Sequence, residues 1–367
     1  DGSNNVCKLN KSIYGLKQAS RCWNRKFTEM LESFKLKTST ADPCVFIGSV
    51  NSSKIILAIY IDDGIIASQS ANALEMMINH LKSHFEIKLF DSIYYLGMQV
   101  TKHQDKTVIS QEAYTRKVLD RFGMLDAKPV TTPAEGFPTT LKNDQQPKFP
   151  YREAVGSLMY LSMVTRPDIA FAVSHASRFL DTYQSENVTA VKRIFKYLSG
   201  TAKQGISFNK TNNLSLICYS DSDYAGDVPT RRSTGGYIIM FCGGPISWSS
   251  KIQSTVALST TEAEYMAACE GIKELIWVKR LLSELSTDSS TPLLCMDNQS
   301  SIKLVKNPQF HKRTKHIDVK FHFIREVYGS GGFTLNYVPS SEQLADILTK
   351  PLKNQIFTQL KYLLNMQ

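Results

Sequence analysis

Leu214-Ser215-Leu216-Ile217-Cys218-Tyr219-Ser220-Asp221 governs the reading of the second half of the chain. Leu214 to Tyr219 reads as a strand, and Asp221 follows it. Working outward, Gly236 to Cys242 and Ile246 to Ser249 read as two further strands. A long helix is predicted over about 260–285, then a strand over 293–297 and a short helix over 299–306. A helix near 316–328, a strand over 333–338 and a helix over 341–349 close the series. Three strands, helix, strand, helices, strand, helix predicts a mixed sheet flanked by helices.

Four acids fall at the ends of these elements. Asp221 follows the first strand, Glu264 lies in the long helix, Asp297 ends the fourth strand and Asp346 lies in the last helix. Hard divalent ions want oxygen ligands, and in-line phosphoryl chemistry uses two ions held by shared carboxylates. Each acid also has a structural reading. Asp297 or Asn298 fits as the cap of the next helix. Ser259-Thr260-Thr261-Glu262 fits a capping box, which gives Glu262 a role of its own. Glu264 shares a stripe with Ala268, Ile272 and Leu275, where an uncompensated acid is costly. Ser340 to Gln343 can cap the last helix, so Asp346 gains little there from the helix dipole.

The rest of the composition narrows the classes. The chain has 367 residues, 42% hydrophobic and 21% charged, which suits a globular protein of two or three domains. No apolar run approaches the roughly 18 residues of a membrane helix, and no charged start precedes an apolar signal segment. Neither a membrane span nor secretion is expected. A net charge of +10 favours a polyanionic partner. The seven cysteines form no C-x-x-C pair, so buried thiols in a reducing compartment are the plain reading, and no zinc cluster is evident.

The first half mixes helix and strand. Ile55 to Ser68 reads as an apolar hairpin with its turn at Asp62-Asp63-Gly64. Ala73 to Phe85 reads as a helix with Leu74, Met77, Ile78 and Leu81 on one face. Residues 94–110 read as a second hairpin, with Val108-Ile109 pairing back on Leu96 to Val100. Residues 129–150 hold five prolines and read as a linker. Residues 151–212 carry eight Lys/Arg against four Asp/Glu and read as helices over 151–164, 168–180 and 186–199.

Several stretches carry a family likeness. Cys218-Tyr219-Ser220-Asp221-Ser222-Asp223-Tyr224-Ala225-Gly226-Asp227, Ser233-Thr234-Gly235-Gly236-Tyr237 and Ser259-Thr260-Thr261-Glu262-Ala263-Glu264-Tyr265-Met266-Ala267 resemble the ribonuclease H domain of copia-type LTR retrotransposon Pol polyproteins. His316-Ile317-Asp318 and Gln343-Leu344-Ala345-Asp346-Ile347-Leu348-Thr349-Lys350-Pro351-Leu352 extend the pattern. The resemblance implies a nuclease cutting the RNA strand of an RNA–DNA hybrid, with two Mg2+ ions on Asp221, Glu264, Asp297 and Asp346. Asp223 is the weaker candidate. Many cellular ribonucleases H place a His on the loop before the last acid. Here that loop is Val338-Pro339-Ser340-Ser341-Glu342, so proton movement would fall to solvent or to another group such as His316. Lys312, Arg313, Lys315 and His316 read as contacts to a nucleic-acid backbone, with a solvated basic turn as the alternative.

Ser12-Ile13-Tyr14-Gly15-Leu16-Lys17-Gln18-Ala19-Ser20-Arg21-Cys22-Trp23, Tyr60-Ile61-Asp62-Asp63 and Tyr95-Leu96-Gly97 resemble the reverse transcriptase of the same family. Ala154-Val155-Gly156-Ser157-Leu158-Met159-Tyr160 and Thr165-Arg166-Pro167-Asp168-Ile169 match the helical segment that follows it. The resemblance implies that Asp62 is a magnesium ligand with Asp63 beside it, and that Gln18 and Tyr60 lie near the incoming nucleotide or primer end. RNA template and DNA are the implied partners, and the implied location is intracellular, in a cytoplasmic particle or the nucleus. Reverse transcriptases use a further Asp on an earlier strand. Only eleven residues precede Ser12 here, so no polymerase activity is expected of this chain by itself.

The expected organisation is an α+β or α/β multidomain chain. A partial reverse-transcriptase palm spans 1–128, a linker 129–150, a helical thumb or connection 151–212, a ribonuclease H-like mixed five-stranded sheet with flanking helices 213–352, and a C-terminal helix 353–367. Three other readings remain. One is a non-catalytic remnant that only binds nucleic acid. Another is an integrase or transposase, which wants a helical Glu after the second Asp; Gly332 stands at that spacing, with Glu326 the nearest acid. The third is a host gene product with a structural role, which the residues neither support nor exclude.

Overall fold

A computed structural model describes residues 8–90, 93–136, 147–210, 214–286, 290–307 and 318–367. The chain divides into two compact units, 1–91 with 280–287, and 92–279 with 288–367. No described helix is long and apolar enough to cross a membrane.

In the first unit, α1 (Ala19–Ser33) buries Phe27, Met30 and Leu31, one helical face. β1 (Leu36–Thr38), β2 (Val45–Val50), β3 (Ser53–Tyr60) and β4 (Asp63–Ser68) form an antiparallel sheet in chain order. Phe46, Ile55 and Leu57 of that sheet share one core with α1 and with α2 (Ala71–His84). Ser70 caps α2 by accepting from the Ala73 N–H at 3.3 Å. The buried stripe of α2 is Ala73, Met77 and Leu81, while Leu74 and Ile78 are half-buried. The hairpin turn also differs from expectation. Tyr60 pairs with Asp63, so the two-residue turn is Ile61-Asp62 and Asp63 already belongs to β4. Ile61 takes φ +54°, the left-handed conformation that such a turn demands.

The second unit opens with β5 (Ile93–Tyr95), β6 (Met98–Lys102), β7 (Lys106–Ser110) and α3 (Glu112–Arg121). Val100 pairs with Ile109 and Thr101 with Val108, so the expected hairpin forms, shifted toward its C-terminal end. The helices α4 (Tyr151–Val164), α5 (Ala170–Ala176) and α6 (Ser185–Thr201) match the three helical pieces, with a tight turn at Pro167–Ile169 between the first two. Their apolar faces meet through Tyr151, Leu158, Val173, Val191 and Phe195. β8 (Gly205–Asn209) was not expected. It pairs antiparallel with β7, and this draws the 93–110 strands into the second unit.

The remaining elements form a mixed sheet. They are β9 (Ile217–Asp223), β10 (Thr234–Phe241), β11 (Gly244–Ile252), α7 (Thr260–Leu285), β12 (Leu293–Met296), α8 (Gln299–Lys306), α9 (Asp318–Gly329), β13 (Thr334–Tyr337) and α10 (Asn354–Leu363). Strand order is β11-β10-β9-β12-β13, antiparallel through β9 and parallel from β9 to β13. This is the mixed five-stranded sheet with flanking helices that was expected. The β10–β11 turn is Cys242-Gly243, both at positive φ, the pairing that a two-residue hairpin turn uses. α7 lies close to the sheet at Gly271, where a Cβ would sit 2.9 Å from Cys218 Sγ. One element is corrected. Residues 341–349 form no α-helix but two tight turns, Ser340–Glu342 and Leu344–Leu348. Gln343 separates them: its backbone is extended, and its side chain bonds the Ser220 carbonyl and the Ala345 N–H.

Candidate metal centre

The parallel register of β9 and β12 brings the first two acids together. Cys295 partners Tyr219, and two residues further along each strand stand Asp297 and Asp221. Asp297 is not the helix cap. Asn298 takes that position, its Oδ1 accepting from the Ser301 N–H at 3.0 Å. This leaves the Asp297 carboxylate available, and the Ser340 hydroxyl donates to its Oδ2 at 2.7 Å.

Asp346 arrives from the tight turn at 344–348. Buried Gln343 fixes that turn, donating from Nε2 to the Ser220 carbonyl at 3.0 Å and accepting at Oε1 from the Ala345 N–H at 3.3 Å. Gly236 lets the turn lie against β10, since a Cβ there would be 2.8 Å from Leu348 Cβ and 2.9 Å from Thr349 Cγ2. The Thr349 hydroxyl then donates to Asp221 Oδ2. Asp221, Asp297 and Asp346 each offer a carboxylate oxygen within 4.8 Å of the others, the one such acid, His or Cys group among the described residues.

Glu264 borders this group. Glu262, two residues earlier, is spent on the start of α7. Its N–H donates to Ser259 Oγ at 3.2 Å and its Oε2 accepts from the Leu258 N–H at 2.8 Å. Glu264 instead faces β9, where its Oε1 accepts from the Ser222 N–H at 3.2 Å. Its Oε2 is buried without a hydrogen-bond partner. Burial, then the neighbouring Asp221 and Asp297 carboxylates, push its pKa up to about 10. Asp346 is pushed up to about 7 by burial and by Asp221, with Lys350 opposing the rise. Repulsive, partly buried carboxylates with an unsatisfied oxygen are the donor set that a hard divalent cation satisfies. Asp223 stays outside the three-acid group, and burial raises its carboxyl above the usual range.

A lysine accompanies the acids. Lys350 Nζ lies 3.0 Å from Asp346 Oδ1 and 3.7 Å from Asp221 Oδ2. Burial opposes its charge, yet Asp221 and Asp346 hold its pKa above that of an ordinary lysine. The sequence reading passed over Lys350, Thr349, Ser340 and Gln343 as site residues. The available signal was the i, i+4 spacing of Asp346 and Lys350.

The other expected site residues are dispersed or undescribed. Asp62 and Asp63 are exposed at the β3–β4 tip and belong to no three-acid group among the described residues. Tyr60 is exposed on the same hairpin, and Gln18 is exposed at the start of α1. Lys312, Arg313, Lys315 and His316 lie outside the described residues.

Comparison with known proteins gives the class and then the family. The description "Reverse transcriptase (RNA-dependent DNA polymerase)" belongs to the family profile that matches residues 1–136. The chain is 42% identical to the retrovirus-related Pol polyprotein from transposon TNT 1-94 of Nicotiana tabacum, covering 98% of this chain and 28% of that one. It is 39% identical to that from transposon RE1 of Arabidopsis thaliana, covering 97% of this chain and 25% of the relative. Among solved structures, LC11-RNase H1 in complex with an RNA/DNA hybrid matches 37% of this chain and 94% of that one, at 17% identity and TM-score 0.30. The chain belongs to the copia-type retrovirus-related Pol polyprotein family and spans about a quarter of the length of those two relatives.

Proposed function

We propose that the second unit hydrolyses the RNA strand of RNA–DNA hybrids with a pair of Mg2+ ions. One observation carries this reading: Asp221, Asp297 and Asp346, distant in sequence, converge within 4.8 Å beside Glu264. Divalent ions bound there supply Lewis-acid stabilisation of charge that builds on the attacked phosphodiester. Asp221, Asp297 and Asp346 would hold the ions, and Glu264, whose Oε2 has no hydrogen-bond partner, would offer a fourth carboxylate. The Thr349 and Ser340 hydroxyls orient Asp221 and Asp297, each bonding one carboxylate oxygen. Gln343 keeps Asp346 registered against β9. The basic character of 151–212 suits a duplex backbone, and selection of the hybrid would rest on groove shape and 2′-hydroxyls.

The test is cleavage of a hybrid labelled in its RNA strand, with Mg2+ or with chelator. Metal-dependent cleavage that disappears in Asp221→Asn is the expected result. Binding of the hybrid without cleavage under any divalent ion would leave the non-catalytic alternative. For polymerisation we infer that this chain alone does not extend a primer, because Asp62 and Asp63 have no third acid gathered with them among the described residues. Incorporation of labelled deoxynucleotide on a primed template would overturn that.

A further inference from the structure

Lys350 is the one feature of the acid site that two-ion hydrolysis does not use. It stands one turn after Asp346, just past the 344–348 turn. Its side chain is 37% exposed, so the chain reaches inward from the rim with room to swing outward. Its ammonium is directed at Asp346 Oδ1, 3.0 Å away, and Asp221 Oδ2, 3.7 Å away. Those two residues also belong to the three-acid group proposed to hold metal. A tethered ammonium and a divalent ion therefore call on the same carboxylates. Each cation repels the other at such distances in a partly buried site, so both cannot sit there at full strength.

Resting on the nuclease reading of this site, we propose that Lys350 is a built-in competitor for the metal. It neutralises Asp221 and Asp346 when no ion is bound, and must withdraw toward solvent when one binds. It is a positioning residue, acting through the two carboxylates. Two properties follow. The ion-free fold is steadier than four converging acids would otherwise allow. Metal affinity is lower than the carboxylates alone would give, by a coupling of the ordinary size between two sites, about tenfold. A site with weakened affinity also exchanges its ions more readily between turnovers.

The readout is metal binding, not cleavage. Thermal unfolding of the full chain is followed while MgCl2, and separately MnCl2, is titrated from a chelator-treated start. Lys350→Met keeps the apolar stem and removes the charge, whereas Lys350→Arg keeps a charge. In Lys350→Met the ion-free melting temperature falls, and half-maximal stabilisation comes at about tenfold lower metal. Lys350→Arg stays close to the parent in both. A general packing defect would lower the melting temperature without tightening metal binding. Unchanged or weaker metal affinity in Lys350→Met overturns the proposal, as does the absence of any metal response in both parent and variant. Tighter metal binding in Lys350→Met with no hybrid cleavage by the parent keeps the proposal and removes the nuclease reading.

Discussion

Arg166 and Asp168 form a two-pronged ion pair with almost no access to water. Arg166 Nε donates to Asp168 Oδ1 at 3.0 Å and Nη2 to Oδ2 at 2.8 Å, and both side chains are no more than 1% exposed. The remaining valences are met by neighbours. Arg166 Nη1 donates to the Thr201 carbonyl at 3.0 Å, Nη2 to Thr201 Oγ1 at 2.7 Å, and the Tyr197 hydroxyl donates to Asp168 Oδ2 at 2.6 Å. Lys361 of α10 reaches the same Tyr197 hydroxyl at 3.4 Å. The Thr165-Arg166-Pro167-Asp168 corner is thereby tied to α6 and to α10. Burial alone would raise the Asp168 pKa, but Arg166 and the Tyr197 hydroxyl hold it below the usual carboxylate range.

Removing one partner of such a pair leaves an uncompensated buried charge. Arg166→Ala is therefore expected to destabilise the second unit by about 3–5 kcal/mol in urea unfolding. The double substitution Arg166→Ala with Asp168→Ala is expected to fall well short of the sum of the single losses, because neither charge remains. Additive losses would show that the pair is not coupled.

A second expectation concerns acid. His175, on α5, has its pKa lowered from 6.5 to about 4, by burial first and then by Arg178, with Asp227 opposing. Between those values the unfolded chain binds a proton that the folded chain refuses. Stability contributed by neutral His175 is thus full above pH 6.5 and falls as pH drops toward 4, by at most about 1.4 kcal/mol per pH unit. His175→Asn is expected to flatten this part of the profile in denaturant unfolding from pH 7 to pH 4. An unchanged slope in the variant would assign the acid sensitivity elsewhere.

These pairs mark what sequence patterns carry and what they do not. Asp221 and Asp297 are legible because each follows an apolar run, and the parallel register of the two strands sets these positions side by side, although β9 itself continues past Asp221 to Asp223. Glu264 is legible as an acid on a buried helical stripe. Lys350 is legible only as an i, i+4 partner of Asp346; its approach to Asp221 depends on 344–348 making a tight turn instead of the helix that its pattern suggests. The cause of that turn is Gln343, whose partner Ser220 lies on β9 and is invisible to any local window. β8 is hidden for a similar reason. Its pairing with β7 joins strands separated by the whole helical segment, and local propensity is a poor guide to such pairings. The Asp62-Asp63 turn was misplaced by one residue because Ile61, a β-branched residue, occupies a left-handed position where Asp or Gly is usual.

Glu264 gives a test in which function and stability oppose one another. The residue is 6% exposed, and its carboxyl carries an oxygen without a hydrogen-bond partner and sits beside Asp221 and Asp297. Glu264→Gln removes a carboxyl that must take up a proton to stay buried without an ion, while an amide oxygen can still accept from the Ser222 N–H. In chelator, the variant is expected to melt higher than the parent. With saturating Mg2+ the order should reverse or the gap should close, because the parent alone gains a full complement of ligands. A variant that melts lower than the parent in chelator would mean that Glu264 is a structural acid.

Gly236 tests whether the 344–348 turn must lie directly on β10 for the acids to converge. A methyl group there would meet Leu348 Cβ at 2.8 Å and Thr349 Cγ2 at 2.9 Å, both near backbone and neither the free end of a long side chain. Overpacking of this kind costs about 1–3 kcal/mol, and relief requires the turn to lift from the strand. Lifting would carry Asp346 away from Asp221 and separate Thr349 from the carboxylate it orients. Gly236→Ala is therefore expected to lose most metal-dependent stabilisation while retaining cooperative unfolding. Thr349→Ser, which removes the Cγ2 methyl and keeps the hydroxyl on Asp221, should restore some of that response in the double variant. Metal-dependent stabilisation equal to the parent in Gly236→Ala would show that the acids gather without this close approach.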